Sequence, residues 1–268
     1  MAGYALAIGL VTFAASIGIE PFAFSEQIGR GLDGLDDRVA ATDHFEFYWF
    51  PHTDVALTKS NTRLPESAVR SPLPVVGKWV DETLLANGVY RAVCGLGARV
   101  PAIVPPFSRL AVTLTGNRDY TDRSNRVFTQ RRTVRFREME YALPAAAARP
   151  AFDEMRALIR ARGWRISFPV EVRFAAADDR WLSTAHERDS AYIAVHRYWR
   201  EDPTEYFTAV EQIMLAHDGR PHWGKMHTLD AEALRVRYSR FDDFVTLRDR
   251  LDPQRAFQNA YLERVLGS

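Results

Sequence analysis

Three segments beyond residue 130 alternate with a period of two. They are Arg131–Leu143 (RRTVRFREMEYAL), Trp164–Ala177 (WRISFPVEVRFAAA) and Ser190–Trp199 (SAYIAVHRYW). Successive side chains on a strand point to opposite faces, so each segment reads as a strand with two unlike faces. In the second, Val170, Val172 and Phe174 take the core face. Glu171 and Arg173 project from the other, beside the small Ala175, and Pro169 marks an irregularity. In the third, Tyr192, Ala194, His196 and Tyr198 share one face.

Around these strands lie helical patterns. Pro74–Gly97 has apolar spacing at Val76, Val80, Leu84, Leu85, Val89 and Val93, with breaks near Gly88 and Gly95. Pro101–Leu114 carries Pro105 and Pro106 in its first turns. Ala145–Arg162 is stopped by Gly163, and Pro203–His217 has Asp202 as its N-cap. Shorter helices are expected near Ala231–Arg237 and at Phe241–Leu251. Two earlier strands are expected: Asp43–His52 (DHFEFYWFPH), aromatic on both faces and ended by Pro51, and Ala56–Arg63. Strands alternating with helices, and helices last, predict an α+β fold. Its sheet is mostly antiparallel and covered by helices on one side.

Composition removes several classes. The 268 residues are 47% hydrophobic, enough for a core. Net charge is +1 with both signs interspersed, so no basic block exists to neutralise a run of phosphates, and no nucleic-acid partner is expected. The single cysteine, Cys94, forms no internal disulfide and reads as a small core residue. Met1–Ile19 carries no charge, close to the ~20 residues of a membrane span. It has no positive leading region, and its glycines, Thr12 and Ser16 make it only mildly apolar, so it reads as a buried strand region.

Several residues could carry chemistry. A carboxylate and a guanidinium projecting together, as Glu171 and Arg173 do, form either a surface charge pair or a clamp for a hydroxylated ligand. His196, between aromatic and small residues, lines a pocket or sits as a satisfied core histidine. Asp178 and Asp179 mark a turn. A metal site using them with His222 and His227 lacks ligand spacing. Lysine occurs only at Lys59, Lys78 and Lys225, against abundant arginine. Lys225 follows Pro221, His222, Trp223 and Gly224, residues that build a tight turn.

Taken in order, EVRFAAADDRWLS, AYIAVHRYW, HWGK and LDPQRAFQNAYLERVLG, preceded by TDHFEFYWFPHTDVALTKSNTR at Thr42–Arg63, resemble the sugar-lactone oxidases. These are the D-arabinono-1,4-lactone and L-gulono-1,4-lactone oxidases and dehydrogenases, with alditol oxidase as a cousin. The resemblance runs roughly from Asp36 to Gly267. It implies a flavoenzyme of the vanillyl-alcohol-oxidase type, in which residues 25–268 form the cap, or substrate, domain and residues 1–24 the end of an FAD-binding domain. The family's glycine-rich pyrophosphate segment and flavin-attachment histidine do not occur in this sequence, so most of the grip on FAD is expected from elsewhere. A catalytically inactive cap-domain protein is the alternative, as is alditol oxidase-like activity.

By the same resemblance a CH–OH group of a sugar lactone gives a hydride to FAD. Glu171 and Arg173 orient substrate hydroxyls, and Arg173 also favours the anionic reduced flavin. Lys225 stands near the reacting hydroxyl, to stabilise an alkoxide or take part in proton transfer. His196 binds substrate, at a position where alditol oxidases carry threonine, which favours a lactone. His222 and Asn259 line the cofactor side. The implied partners are the lactone, FAD and an electron acceptor, oxygen or another, with no metal. The implied location is cytoplasmic, with peripheral membrane association.

Overall fold

The computed structural model describes residues 12–21, 35–65, 67–74, 87–115, 117–129 and 132–267. In chain order the elements are β1 (Thr12–Pro21), α1 (Leu35–Ala41), β2 (His44–Trp49), β3 (Val55–Leu64), α2 (Tyr90–Gly97), α3 (Val104–Thr115), β4 (Arg118–Arg123) and α4 (Ser124–Val127). Then come β5 (Phe136–Pro144), α5 (Ala148–Arg162), β6 (Val170–Ala175), β7 (Ser190–Tyr198), α6 (Thr204–Ala216), β8 (Arg220–Pro221), α7 (Ala231–Arg235), α8 (Phe241–Leu251) and α9 (Ala260–Leu266). The chain divides into two compact units, Met1–Arg135 and Phe136–Ser268.

In the first unit the strand order is β4–β1–β3–β2, all antiparallel. The later part of the uncharged N-terminal stretch is therefore a strand with a neighbour on each side. On β2, Phe45, Phe47 and Trp49 are buried while Glu46 and Tyr48 are only partly so, a one-sided burial rather than the two-sided one expected. Pro51 ends the strand. His52 takes a left-handed φ of 75°, and the Thr53 amide closes the turn onto the Phe50 carbonyl at 3.1 Å. Lys59 pairs across the strands with Glu46 at 3.1 Å. Cys94, the chain's single cysteine, is fully buried on α2. Gly95 does not interrupt that helix, since the cost of a helical glycine is modest. Residues 75–86 of the expected Pro74–Gly97 helix lie outside the described residues.

In the second unit the order is β6–β7–β5–β8, again antiparallel. Both β5 and β6 are shorter than their alternating segments. β5 starts at Phe136, and β6 starts at Val170 because Pro169 has no N–H to donate to a ladder. One face carries Met139, Tyr141, Leu143, Val172, Ile193 and Val195, all buried. Helices α5 and α6 cover it with Phe152, Met155, Ile159, Phe207, Val210 and Met214. Gly163 ends α5 at φ 64°, where only a residue without a Cβ is unstrained. Asp202 accepts from the Thr204 amide at 2.9 Å, satisfying the first turn of α6. This is the α+β architecture that the pattern predicted. The last three helices enclose a second apolar cluster of Leu229, Leu234, Tyr238, Phe241, Val265 and Leu266. Strand β4 and helix α9 had no counterpart in the sequence reading; β4 (RDYTDR) is polar throughout, and α9 is too short for periodicity to show. Among the described residues no helix is long and apolar enough to cross a membrane.

One polar group is set deep on the helix side of the sheet. Glu211 of α6, 1% exposed, accepts from the Tyr141 hydroxyl at 2.5 Å, the Thr228 amide at 2.9 Å and the Thr228 hydroxyl at 2.5 Å. A buried carboxylate is tolerable only when so many donors replace water. Burial and the Glu211 charge push the Tyr141 phenol far up, so it remains a donor. Glu211→Ala would strand the Tyr141 hydroxyl and the Thr228 amide. A loss of about 3 kcal/mol in unfolding free energy is expected, measurable by urea denaturation.

Candidate functional site

The face of the β6–β7–β5–β8 strands opposite α5 and α6 is polar at its centre. Register decides which side chains meet there. Glu138 lies opposite His196, and Ala194 lies between Glu140 on one side and Glu171 on the other. Arg173 lies opposite Tyr192. Because Ala194 has no side chain beyond Cβ, Arg173 reaches over β7: its guanidinium meets Glu140 at 2.6 Å and Glu171 at 3.4 Å. The span is two strand spacings, about 10 Å, within reach of a long side chain over a small one.

Lys225 arrives from the other edge. β8 pairs with β5 through Pro221 and Tyr141, and the His222 amide continues the pairing by donating to the Glu140 carbonyl at 2.9 Å. The chain then turns out of the ladder. The Lys225 amide donates to the His222 carbonyl at 3.0 Å, and pairing resumes as the Met226 amide donates to the Glu138 carbonyl at 2.9 Å. This excursion delivers Lys225 onto the polar face, where its ammonium binds Glu138 at 2.6 Å and also Glu140. Gly224 lets the His222 ring fold close: a Cβ there would stand 3.0 Å from that ring, whose Nδ1 accepts from the Gly224 amide at 3.1 Å.

His196 completes the group. Its Nε2 lies 3.2 Å from Glu138 and its Nδ1 3.2 Å from the Pro169 carbonyl. The ring packs edge-on against Phe136 at 5.2 Å and stacks over Phe168 at 6.0 Å. Burial pushes the Glu138 carboxyl up, but the hydrogen bonds and charges of His196 and Lys225 outweigh it and hold the carboxyl down at about 2. Three carboxylates thus face the cations of Arg173 and Lys225 and one imidazole. Glu140 is 1% exposed and the Arg173 side chain 41%, so Glu140 and the buried Glu171 lie at the floor and the Arg173 guanidinium is the accessible end. Such a site offers fixed donors to hydroxyl groups and to oxygen that gains negative charge.

The family model of D-arabinono-1,4-lactone oxidase matches residues 20–265. The chain belongs to this family. It is 45% identical over 240 residues to an L-gulono-1,4-lactone dehydrogenase of Mycobacterium tuberculosis, covering 90% of this chain and 55% of the relative. It is 31% identical over 248 residues to an L-gulonolactone oxidase of Scyliorhinus torazame, again covering 90% and 55%. An alditol oxidase of Streptomyces is 39% identical over 132 residues, 48% of this chain and 31% of that protein. The chain spans about half the length of the first two of these relatives. Among solved structures, a cholesterol oxidase from Brevibacterium sterolicum shares the fold, with a TM-score of 0.61 at 18% identity, over 95% of this chain and 60% of the other.

For this lactone-oxidase family member, the structure brings together Glu171, Arg173, Lys225 and His196, all singled out in the sequence. Glu171 is buried, so the pair it forms with Arg173 is not an ordinary surface pair. His222 is exposed at the entrance of the turn, its ring held by the Gly224 amide. Asn259 stands outside the network, as the N-cap of α9 with Oδ1 accepting from the Leu262 amide at 3.0 Å. Asp178 shapes the turn as expected, accepting from the Arg180 amide and the Ser183 hydroxyl. The reading missed Glu138 and Glu140. Their Glu-x-Glu spacing on an alternating strand was a visible signal, the same one that exposed Glu171 and Arg173. Among the described residues no group of His, Cys, Asp and Glu is arranged to hold a metal ion.

The turn is also braced from behind. The Tyr261 hydroxyl donates to the Trp223 carbonyl at 2.5 Å and lies 3.0 Å from His227 Nε2. Burial first, and then the Arg264 charge, lowers the His227 pKa from 6.5 to about 4. The neutral ring is therefore the folded form, while an unfolded chain takes up a proton near 6.5. This contribution is full above pH 6.5 and is lost as pH falls toward 4, amounting to about 3 kcal/mol. Unfolding free energies measured across that range should show the slope in the native sequence and lack it in His227→Gln.

Proposed function

We propose that this chain carries the substrate-facing half of a sugar-1,4-lactone oxidoreductase, which oxidises a CH–OH group of L-gulono-1,4-lactone or D-arabinono-1,4-lactone. The observation that supports it is the convergence of Glu171, Arg173, Lys225 and His196 around Ala194, in a chain of the lactone-oxidase family. The cofactor is FAD. The donor set fits it: the most exposed group of the network is the Arg173 guanidinium, suited to a partner that becomes negative on reduction. Arg173 and Lys225 are the residues that would face it, with His222 and Asn259 as outer contacts. Bound FAD supplies the acceptor for the hydride.

The residues of this chain do the remainder. Glu171 accepts a hydrogen bond from a substrate hydroxyl and orients the ring. His196 lines the floor beneath the lactone. In oxidation the C–H bond breaks with its electron pair leaving as hydride, and the hydroxyl gives up its proton to water as the C=O bond forms. Negative charge gathers on that oxygen, and the Lys225 ammonium and the Arg173 guanidinium are placed to offset it. Both are fixed beforehand by the buried carboxylates, so little reorganisation accompanies the charge. The electron acceptor that follows is oxygen or another oxidant; one relative is named a dehydrogenase and the other an oxidase.

The alditol oxidase match favours a second substrate class, open-chain alditols. A panel of aldonolactones and alditols, mixed anaerobically with flavin-loaded protein and with a flavin-binding domain supplied, decides between them. Glu171→Ala, Arg173→Ala and Lys225→Ala should each slow flavin bleaching by the preferred substrate about a hundredfold or more. Rates near those of the native sequence would remove the assignment.

A further inference from the structure

Glu138 is the one residue of the site that joins Lys225 to His196, and it does so through a single atom. Oε1 lies 2.6 Å from Lys225 Nζ and 3.2 Å from His196 Nε2. The other ring nitrogen of His196 is 3.2 Å from the Pro169 carbonyl, which can only accept, so Nδ1 carries a hydrogen. In a ring protonated there alone, Nε2 would face the carboxylate acceptor to acceptor. The contact is a hydrogen bond when Nε2 is protonated as well. Glu140 cannot substitute for Glu138: it is already shared by Arg173 and Lys225 and lies nearly wholly out of water. Backbone geometry adds to the link, since the Glu138 carbonyl receives the Met226 amide, the residue after Lys225. Main chain and side chain of one residue therefore set both the position and the direction of the ammonium.

We propose that Glu138 is a positioning residue, whose carboxylate aims the Lys225 ammonium and fixes the His196 ring in the same act. The low pKa of Glu138 agrees, because it remains a carboxylate at neutral pH. What Lys225 is aimed at rests on the lactone reading; the aiming itself does not.

The scarcity of lysine makes the test direct. The chain is treated with trace acetic anhydride, without flavin, and acylation of Lys225 and Lys59 is followed by mass spectrometry. Lys59, paired with Glu46 in the other unit, is the internal reference. In Glu138→Gln the Lys225 amine loses one of the two carboxylates that bind it and is freer to meet the reagent. Its rate should rise about tenfold relative to Lys59. Glu138→Asp keeps the charge one methylene short and should fall between; it also serves if the glutamine variant does not fold. An unchanged ratio in a folded variant overturns the proposal. In flavin-loaded protein, Glu138→Gln should cost less kcat on top of Lys225→Met than it costs alone, because only the His196 contact is then left to lose. Additive losses would show a merely structural residue. A raised acylation rate together with no lactone oxidation would uphold the positioning and sink the lactone reading instead.

Discussion

The second unit is organised around a carboxylate that water hardly reaches. Glu140 sits mid-strand on β5, 1% exposed, and an unpaired charge there would cost several kcal/mol. Its partners come from opposite directions: Arg173 from β6, two strands away, and Lys225 from the turn beyond β8. Satisfying one buried acid thus ties the two ends of a four-stranded arrangement together. It also explains the size of Ala194, the residue over which Arg173 passes. A pair of this kind adds little net stability compared with apolar packing. What it gives is a fixed cationic end to a polar site, held by groups that cannot move without exposing a bare charge.

The turn carrying Lys225 is built to the same logic. It is an interruption in an edge pairing, with backbone hydrogen bonds to β5 on either side of it. Behind it, Glu211 grips Thr228, Tyr261 grips the Trp223 carbonyl, and Arg264 grips the carbonyls of His227 and Leu229. Arginine recurs in this role: Arg220 likewise binds the carbonyls of His186 and Arg237. A planar fork with several donors suits such clamping. A lysine presents a compact charge instead, which is what the space between Glu138 and Glu140 accepts.

Much of this was legible beforehand. Alternation identified β6 and β7 and the faces of Glu171, Arg173 and His196. Gly163 and Pro51 ended their elements where a left-handed or N–H-free residue must. Family resemblance drew Lys225 into the same site. Glu138 and Glu140 were not drawn in, although their strand was recognised, because charge on an alternating strand ordinarily means a solvent face. Their burial depends on cations supplied from elsewhere in the chain. The capping role of Asn259 was not legible either; capping geometry depends on where its helix starts, which a seven-residue element does not announce.

The sequence by itself determined which residues share a face, since strand period is local, and which lysine was out of place in an arginine-rich chain. Only the tertiary structure decided that five charged groups and one imidazole form a single network. Strand order, register and the height of the turn after β8 are set by long-range pairing. Those three choices put Lys225 within hydrogen-bonding distance of two glutamates more than 80 residues earlier in the chain and give the acids the partners that let them be buried.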